Sequence, residues 1–310
     1  MTTKTWNDYK VFMTDGSAAI AVNAQQASAD TACQFLEKGG IIYFPQSPFQ
    51  FNDPERNFLL SQKQAEADYH KNIAYRPMAD RVTGFSASDD ANKEELRRIM
   101  ASFHKQVIRF LEVFLAPYSR GWKIDFASYR PIEEKGRKMR LRARNDLLHV
   151  DSFPTRPIYG DRILRTFINI NPAQERCWTT SDTFEKLSER FRDQVAAPGD
   201  LNRAPAGSTN LFSGMAKLLG IKANASSPYD KWMLDFHNFL KENEEFQETA
   251  RKDNWEFPSN SSWIVFTDMV SHSVLSGQYA LEQTIIVDKN DLTLPDKAPI
   301  NILKRMYGQK

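Results

Sequence analysis

"RKMRLRARNDLLHVDSFPTRPIYGDRILRTFININP", residues 137–172, holds two runs that alternate every second residue. In the first, Lys138, Arg140, Arg142 and Arg144 share one face, and Met139, Leu141 and Ala143 share the other. In the second, Arg165, Phe167, Asn169 and Asn171 oppose Thr166, Ile168 and Ile170. Alternation of this kind predicts strands, because successive side chains leave an extended chain on opposite faces. Upstream, "WKIDFASYRP" reads as another strand, and downstream "SSWIVFTDMVSHSVLSGQYALEQTIIVD" reads as two strands joined by a Ser- and Gly-bearing turn. Helical patterns surround these runs. "KEELRRIMASFHKQVIRFLEVFL" repeats Leu96, Ile99, Met100, Phe103, Val107 and Leu111 at spacings of three and four. "SADTACQFLEKGG" has Ser28 as N-cap and Gly39 as stop, followed by the short strand "IIYFP". "SDTFEKLSERFRDQ" is helical. In "SSPYDKWMLDFHNFLKENEEF", Ser227 caps, Pro228 takes the first helical position and Asp230 reaches back.

Strand runs without regular βαβ alternation argue against a doubly wound parallel sheet. The expectation is an α+β chain forming a single domain over residues 1–310, an antiparallel barrel or sandwich with flanking helices. Its core strands fall at about 122–172 and 263–288, with a helical insert at about 173–262. The composition is globular: 41% hydrophobic and 12% aromatic residues supply a sizeable core. A net charge of +2 excludes the global basic field of a dedicated nucleic-acid binder. Two cysteines, Cys33 and Cys177, form neither a cysteine zinc site nor a disulfide framework, and reduced thiols are expected. The N-terminus lacks a signal-peptide pattern, and no run approaches the roughly 20 apolar residues that span a bilayer. A soluble or peripheral cytoplasmic protein is expected. Trp6, Tyr9, Val11 and Phe12 suit either ordinary packing or a membrane interface.

Five histidines permit elimination. His104 and His237 sit inside helical patterns and read as helix-surface or core-edge residues, and His70 lies in a polar stretch. His149 and Asp151 are two apart on an extended segment, so both side chains point the same way. His272 ends the strand pattern "WIVFTDMVSH". Two histidines and one carboxylate form the facial triad of non-haem Fe(II) oxygenases, which leaves three metal positions open. The arginine on the strand after Asp151 suits a dicarboxylate, since its planar fork grips a carboxylate in two places; a solvent-facing polar strand is the alternative.

H-x-D, then a strand with arginine and asparagine, then a distal histidine resembles the Fe(II)/2-oxoglutarate-dependent dioxygenases. More narrowly, "RLRARNDLLHVDSFPTRPIYGDRILRTFININP" with "VSHSVLSGQYALEQTIIV" resembles the Kdo 3-hydroxylase family, Kdo being 3-deoxy-D-manno-oct-2-ulosonic acid. The resemblance implies a double-stranded β-helix (jelly-roll, cupin-like) core. It implies His149, Asp151 and His272 as iron ligands, with Fe(II), 2-oxoglutarate and O2 as reactants and ascorbate as activator. It also implies hydroxylation at C3 of Kdo in Kdo-lipid A to form Ko, D-glycero-D-talo-oct-2-ulosonic acid, with peripheral contact at the cytoplasmic face of the inner membrane. Many superfamily members carry a basic residue about ten positions after the distal histidine. Here Gln283 and Thr284 occupy that region, and Arg165 fits the branch that takes its basic residue from the earlier strand. Arg162, of opposite parity, is second choice, and Asn169 shares the Arg165 face.

Arg140, Arg142 and Arg144 read either as a solvated edge strand or as a wall for the carboxylate of Kdo and the phosphates of lipid A. Two rivals stay open: the same chemistry on another acidic small molecule or a protein side chain, and a non-catalytic metal-binding barrel serving as a binding module.

Overall fold

The computed structural model describes residues 10–14, 20–23, 28–65, 72–86, 90–203 and 226–309. Trp6, Tyr9 and His70 lie outside these residues, as do the side chains of Val11 and Phe12. Two antiparallel sheets face each other. The large one has nine strands: β1 (Lys10–Thr14), β2 (Ile20–Asn23), β3 (Ile41–Phe44), β4 (Ile73–Arg76), β5 (Arg81–Thr83), β6 (Lys123–Arg130), β7 (Arg162–Asn169), β10 (Ser262–Phe266) and β12 (Ala280–Val287). Their order is β2-β1-β3-β10-β7-β12-β6-β4-β5. The small sheet has the order β11-β8-β9, with β8 (Arg176–Thr183), β9 (Asp253–Phe257) and β11 (Val270–Ser276).

The helices are α1 (Ala29–Glu37), α2 (Asp53–Ser61), α3 (Asp90–Phe114), α4 (Phe184–Arg190), α5 (Pro228–Glu242), α6 (Glu244–Thr249) and α7 (Pro299–Met306). The apolar face expected of α3 is the buried one, through Leu96, Ile99, Met100, Phe103, Val107 and Leu111. It packs in one core with Ile73, Tyr75, Ala127, Tyr129, Leu281 and Ile285 of the large sheet. The opposite sheet face looks onto the small sheet. There Phe167, Trp178, Phe257 and Trp263 fill the gap, with Phe257 and Trp263 stacked at 3.8 Å between centroids. Burying each such ring is worth roughly 1.5–3 kcal/mol, so this aromatic layer is a principal bond between the sheets.

Several expectations change. "KMRLRAR" is not a strand. Its backbone closes a 3-10 turn at Leu141–Ala143 through Ala143 N–H to the Arg140 carbonyl at 2.8 Å. Alternation of charged with apolar residues supplied that strand signal. The arginines instead find local carboxylates: Arg142 pairs with Glu242 and Arg144 with Asp146, both at 2.6 Å, while Arg140 is exposed. The span 173–262 is not wholly helical, since β8 and β9 lie within it and make up most of the small sheet. "WIVFTDMVSH" is split into β10 and β11 by Thr267–Met269, where the chain leaves the large sheet for the small one. His272 is therefore inside a strand, not at its end. Cys177 is half-exposed; Cys33 is buried, which pushes its thiol up to about 12, and neither is bridged.

Candidate metal and dicarboxylate site

His149 and Asp151 sit in an extended segment laid beside β11 rather than in a named strand. His149 and His272 form an isolated antiparallel bridge, with N–H to carbonyl bonds of 3.1 and 2.9 Å in the two directions. Asp151 N–H donates to the Thr267 carbonyl at 2.8 Å. These bonds bring three distant positions together and explain why the pair needed no strand of its own.

The imidazoles are oriented by their own backbone. Nδ1 of His149 donates to the Leu147 carbonyl at 2.7 Å, and Nδ1 of His272 to the Val270 carbonyl at 2.9 Å. A carbonyl only accepts, so each Nδ1 carries the proton and each Nε2 keeps a lone pair, the tautomer a metal needs. Nε2 of His149 lies 3.6 Å from Asp151 Oδ1, and the His149 and His272 rings are 4.7 Å apart. Trp178 stacks on His272 at 5.3 Å and 20°. Burial, then the Lys241 ammonium, holds His149 well below its usual range; burial likewise lowers His272. Burial alone would raise Asp151, but Arg165 and the histidines hold it well below the carboxylate range. Two neutral imidazoles and an ionised carboxylate are a donor set that fits a divalent iron.

The structure adds His237 from α5, which the helical pattern reads as a helix-surface or core-edge residue. One donor atom each of His149, Asp151 and His237 lie within 4.8 Å of one another, a grouping with His237 rather than His272. Nδ1 of His237 donates to the Val150 carbonyl at 2.7 Å, and its ring is 4.9 Å from His149. The helix is held in place by Asp230, which closes the expected capping box with Ser227 and also accepts from the N–H groups of Ile158 and Tyr159. His237 follows Asp230 by seven residues, two turns along the same face. No sequence spacing links residue 237 to 149, so only the tertiary fold reveals it.

Beside the triad lies a buried cluster of arginines and carboxylates. Arg165 contacts Asp151 and Glu282, both at 3.1 Å. Glu282 also pairs with Arg130 at 2.5 Å and accepts from Thr284 Oγ1 at 2.9 Å. Arg176 Nη1 donates to the Gly277 carbonyl at 2.7 Å, and Arg176 lies 3.7 Å from Glu134. Gly277 is required there: its φ is +108°, and a Cβ would meet Arg176 Cα at 2.8 Å. Burial, then Arg130, lowers Arg176 to about 10. Among the described residues, the Nε atoms of Arg130, Arg165 and Arg176, Nη2 of Arg176 and Nε1 of Trp178 are buried donors without hydrogen-bond partners. Unpaired buried donors on three guanidiniums fit a carboxylate ligand such as 2-oxoglutarate. Arg130, Arg176, Trp178 and Glu282 were not singled out from sequence. The parity of Glu282 with Ala280 and Thr284 was the available signal.

The other expected site residues lie elsewhere. Arg162 is fully buried in an ion pair with Asp268 at 2.8 Å and stacks over Phe266, on the face away from Arg165. Gln283 points to α3, where its Oε1 meets His104 Nδ1 at 2.9 Å. Asn169 spends its amide on the carbonyls of Gln174 and Phe257. Thr284 touches the cluster through Glu282. Arg142 and Arg144 are engaged with their own carboxylates, as above.

Residues 19–310 match the family model described as 3-deoxy-D-manno-oct-2-ulosonic acid (Kdo) hydroxylase. No curated protein matches the sequence. A crystal structure of the Kdo hydroxylase KdoO, a non-heme Fe(II) alphaketoglutarate dependent dioxygenase, in complex with cobalt(II) aligns with a TM-score of 0.78 and 32% identity, covering 91% of each chain. The same enzyme with alphaketoglutarate and Fe(III) aligns at 0.76 and 31% identity, covering 91% of this chain and 90% of that one. Its apo structure aligns at 0.78 and 32%, with the same coverage. With the family model spanning almost the whole chain and the donor set in place, this chain belongs to the Kdo hydroxylase family of non-haem Fe(II)/2-oxoglutarate-dependent dioxygenases.

Proposed function

We propose that this protein hydroxylates C3 of Kdo attached to a lipid A precursor, forming Ko, with ascorbate as activator. On this reading the two sheets are those of a double-stranded β-helix, and the protein meets its substrate at the cytoplasmic face of the inner membrane. Among the described residues no helix is long and apolar enough to cross a membrane. The observation that carries the reading is the convergence of His149, Asp151 and His272 next to unpaired arginine donors in a chain of this family.

His149, Asp151 and His272 would hold the iron. When bound, iron with 2-oxoglutarate and O2 supplies the oxidation that turns a C–H into C–OH while 2-oxoglutarate becomes succinate and CO2. The chain's own residues position and protect. The backbone carbonyls of Leu147 and Val270 fix the imidazole tautomers. Arg165 holds the far carboxylate of 2-oxoglutarate, supported by Arg130 and Arg176, whose buried donors it satisfies. Burial of His149, Asp151, His272, Arg176 and Glu282 limits stray water.

The test is mass spectrometry of Kdo-lipid A after incubation with protein, Fe(II) and 2-oxoglutarate. One added oxygen at C3 of the sugar, matched by succinate, is expected. Succinate formed without oxygen on Kdo, with oxygen found on another acidic substrate, would replace the substrate but keep the chemistry. No succinate with any substrate would favour a metal-binding module.

A further inference from the structure

A row of guanidiniums runs from the metal site to the edge of the large sheet. Arg76 on β4 is the registered cross-strand partner of Arg81 on β5. Phe126 lies beside them on β6, and Arg76 stacks over its ring at 4.3 Å. Arg156 covers the same ring at 4.6 Å and the Phe153 ring at 4.0 Å. Phe153 follows Asp151 by two residues, and the Arg165 guanidinium lies 5.6 Å from the centroid of its ring. The order from the metal outward is thus Asp151, Arg165, Phe153, Arg156, Phe126, Arg76 and Arg81.

This arrangement is costly unless an anion joins it. Like charges directly opposite on antiparallel strands repel, and Arg76 and Arg81 are such a pair. Burial, then Arg81 and Arg156, lowers the Arg76 guanidinium, which also has a buried Nε without a hydrogen-bond partner among the described residues. The facing carboxylate, Asp125, is taken by Arg156. Among the described residues, three guanidiniums therefore share one carboxylate.

We propose that Arg76, Arg81 and Arg156 form a phosphate subsite that holds a phosphomonoester on the part of the substrate next to the reacting sugar. The sheet order puts Arg165 three strands from Arg76 and four from Arg81. At about 4.8 Å per strand this is ~14 and ~19 Å, well beyond one sugar ring. The reacting sugar's own carboxylate cannot span from beside Arg165 to Arg76 and Arg81, whereas a phosphate on the saccharide to which it is joined can, with Arg156 lying between. The flanking Phe126 and Phe153 rings offer flat apolar faces to the intervening sugars. The subsite rests on the reading that Kdo on a phosphorylated glycolipid is the substrate, and it replaces Arg140, Arg142 and Arg144 as the basic surface for that lipid.

The experiment measures binding by the full chain, loaded with Fe(II) and 2-oxoglutarate without O2, in uncharged detergent micelles that exclude phospholipid headgroups. Wild type, Arg76→Gln and Arg156→Gln are titrated with Kdo-lipid A and with the same glycolipid after phosphatase treatment. A parallel titration with inorganic pyrophosphate uses the metal-free proteins saturated with 2-oxoglutarate, which occupies the Arg130, Arg165 and Arg176 cluster. Dephosphorylation is expected to weaken wild-type binding about tenfold or more, and each variant is expected to bind both lipids equally at the weaker level. Pyrophosphate binding is expected in wild type and lost in both variants. Equal wild-type affinity for the two lipids, or variants that still discriminate, overturns the subsite. If no protein binds either lipid, the pyrophosphate titration decides: loss in the variants keeps the subsite and removes Kdo-lipid A as substrate, and no loss removes both.

Discussion

Each imidazole at the candidate metal site spends Nδ1 on a backbone carbonyl, so Nε2 is the atom each would offer a metal. This separates two histidines that sit almost equally close to His149, at 4.7 and 4.9 Å between ring centroids. His272 is tied to His149 by two backbone bonds and backed by Trp178, whereas His237 arrives on a separate helix. His272→Ala is expected to weaken Co(II) binding by more than the roughly 10–100-fold that loss of an outer partner produces. His237→Ala is expected to stay within about that range and to lose turnover instead. Competition against a chromophoric chelator measures both, and an exchange of the two outcomes would make His237 the third ligand. At this scale the H-x-D pair and the distal histidine were legible because residue type and strand parity are written in the sequence. His237 was not, because a histidine facing a metal and one facing packing occupy the same helical pattern.

β7 and β12 show what alternation can and cannot decide. On β7, Arg165 faces the small sheet and Arg162 faces the helices, as their opposite parity requires. Arg162 and Asp268 form a wholly buried ion pair, so Arg162→Ala strands an uncompensated carboxylate and is expected to cost about 3–5 kcal/mol in urea unfolding. Replacing both, as Arg162→Met with Asp268→Leu, is expected to recover most of that loss. Arg165→Ala is expected to remain folded and to raise the 2-oxoglutarate KM. An unchanged KM would move the carboxylate grip to Arg130 or Arg176. On β12, Gln283 belongs to the helix side through His104, while Glu282 and Thr284 face inward. Gln283→Ala is expected to cost about 1–3 kcal/mol of stability by unpairing a buried partner, with the 2-oxoglutarate KM unchanged. The sequence reading placed Gln283 at the site by counting from His272, and counting alone does not give the face. "KMRLRAR" failed for a related reason: alternation of charge says nothing about whether a neighbouring strand is there to take the backbone bonds.

The small sheet was the part of the molecule least legible in sequence, since β8 and β9 stand among helices and pair with β11 across long separations. It is also the part that makes the site a junction. His272, Trp178 and Arg176 come from the small sheet, Arg130, Arg165 and Glu282 from the large one, Asp151 from the segment between, and His237 from α5. A metal with 2-oxoglutarate held by these residues would tie together elements that otherwise meet through the aromatic layer. A ligand that binds only the folded state stabilises it by about 2.7 kcal/mol at one hundred times its Kd. Co(II) with 2-oxoglutarate is accordingly expected to raise the unfolding midpoint, and to slow amide exchange in β8 and β11 more than in β3, which lies two strands from β7. Arg165→Ala is expected to keep the Co(II) increment and lose the 2-oxoglutarate one, while His272→Ala loses both. Uniform slowing across both sheets would mean that ligand binding stabilises only against global unfolding. A greater effect at β8 and β11 would show that the small sheet opens on its own and that the loaded site holds it shut.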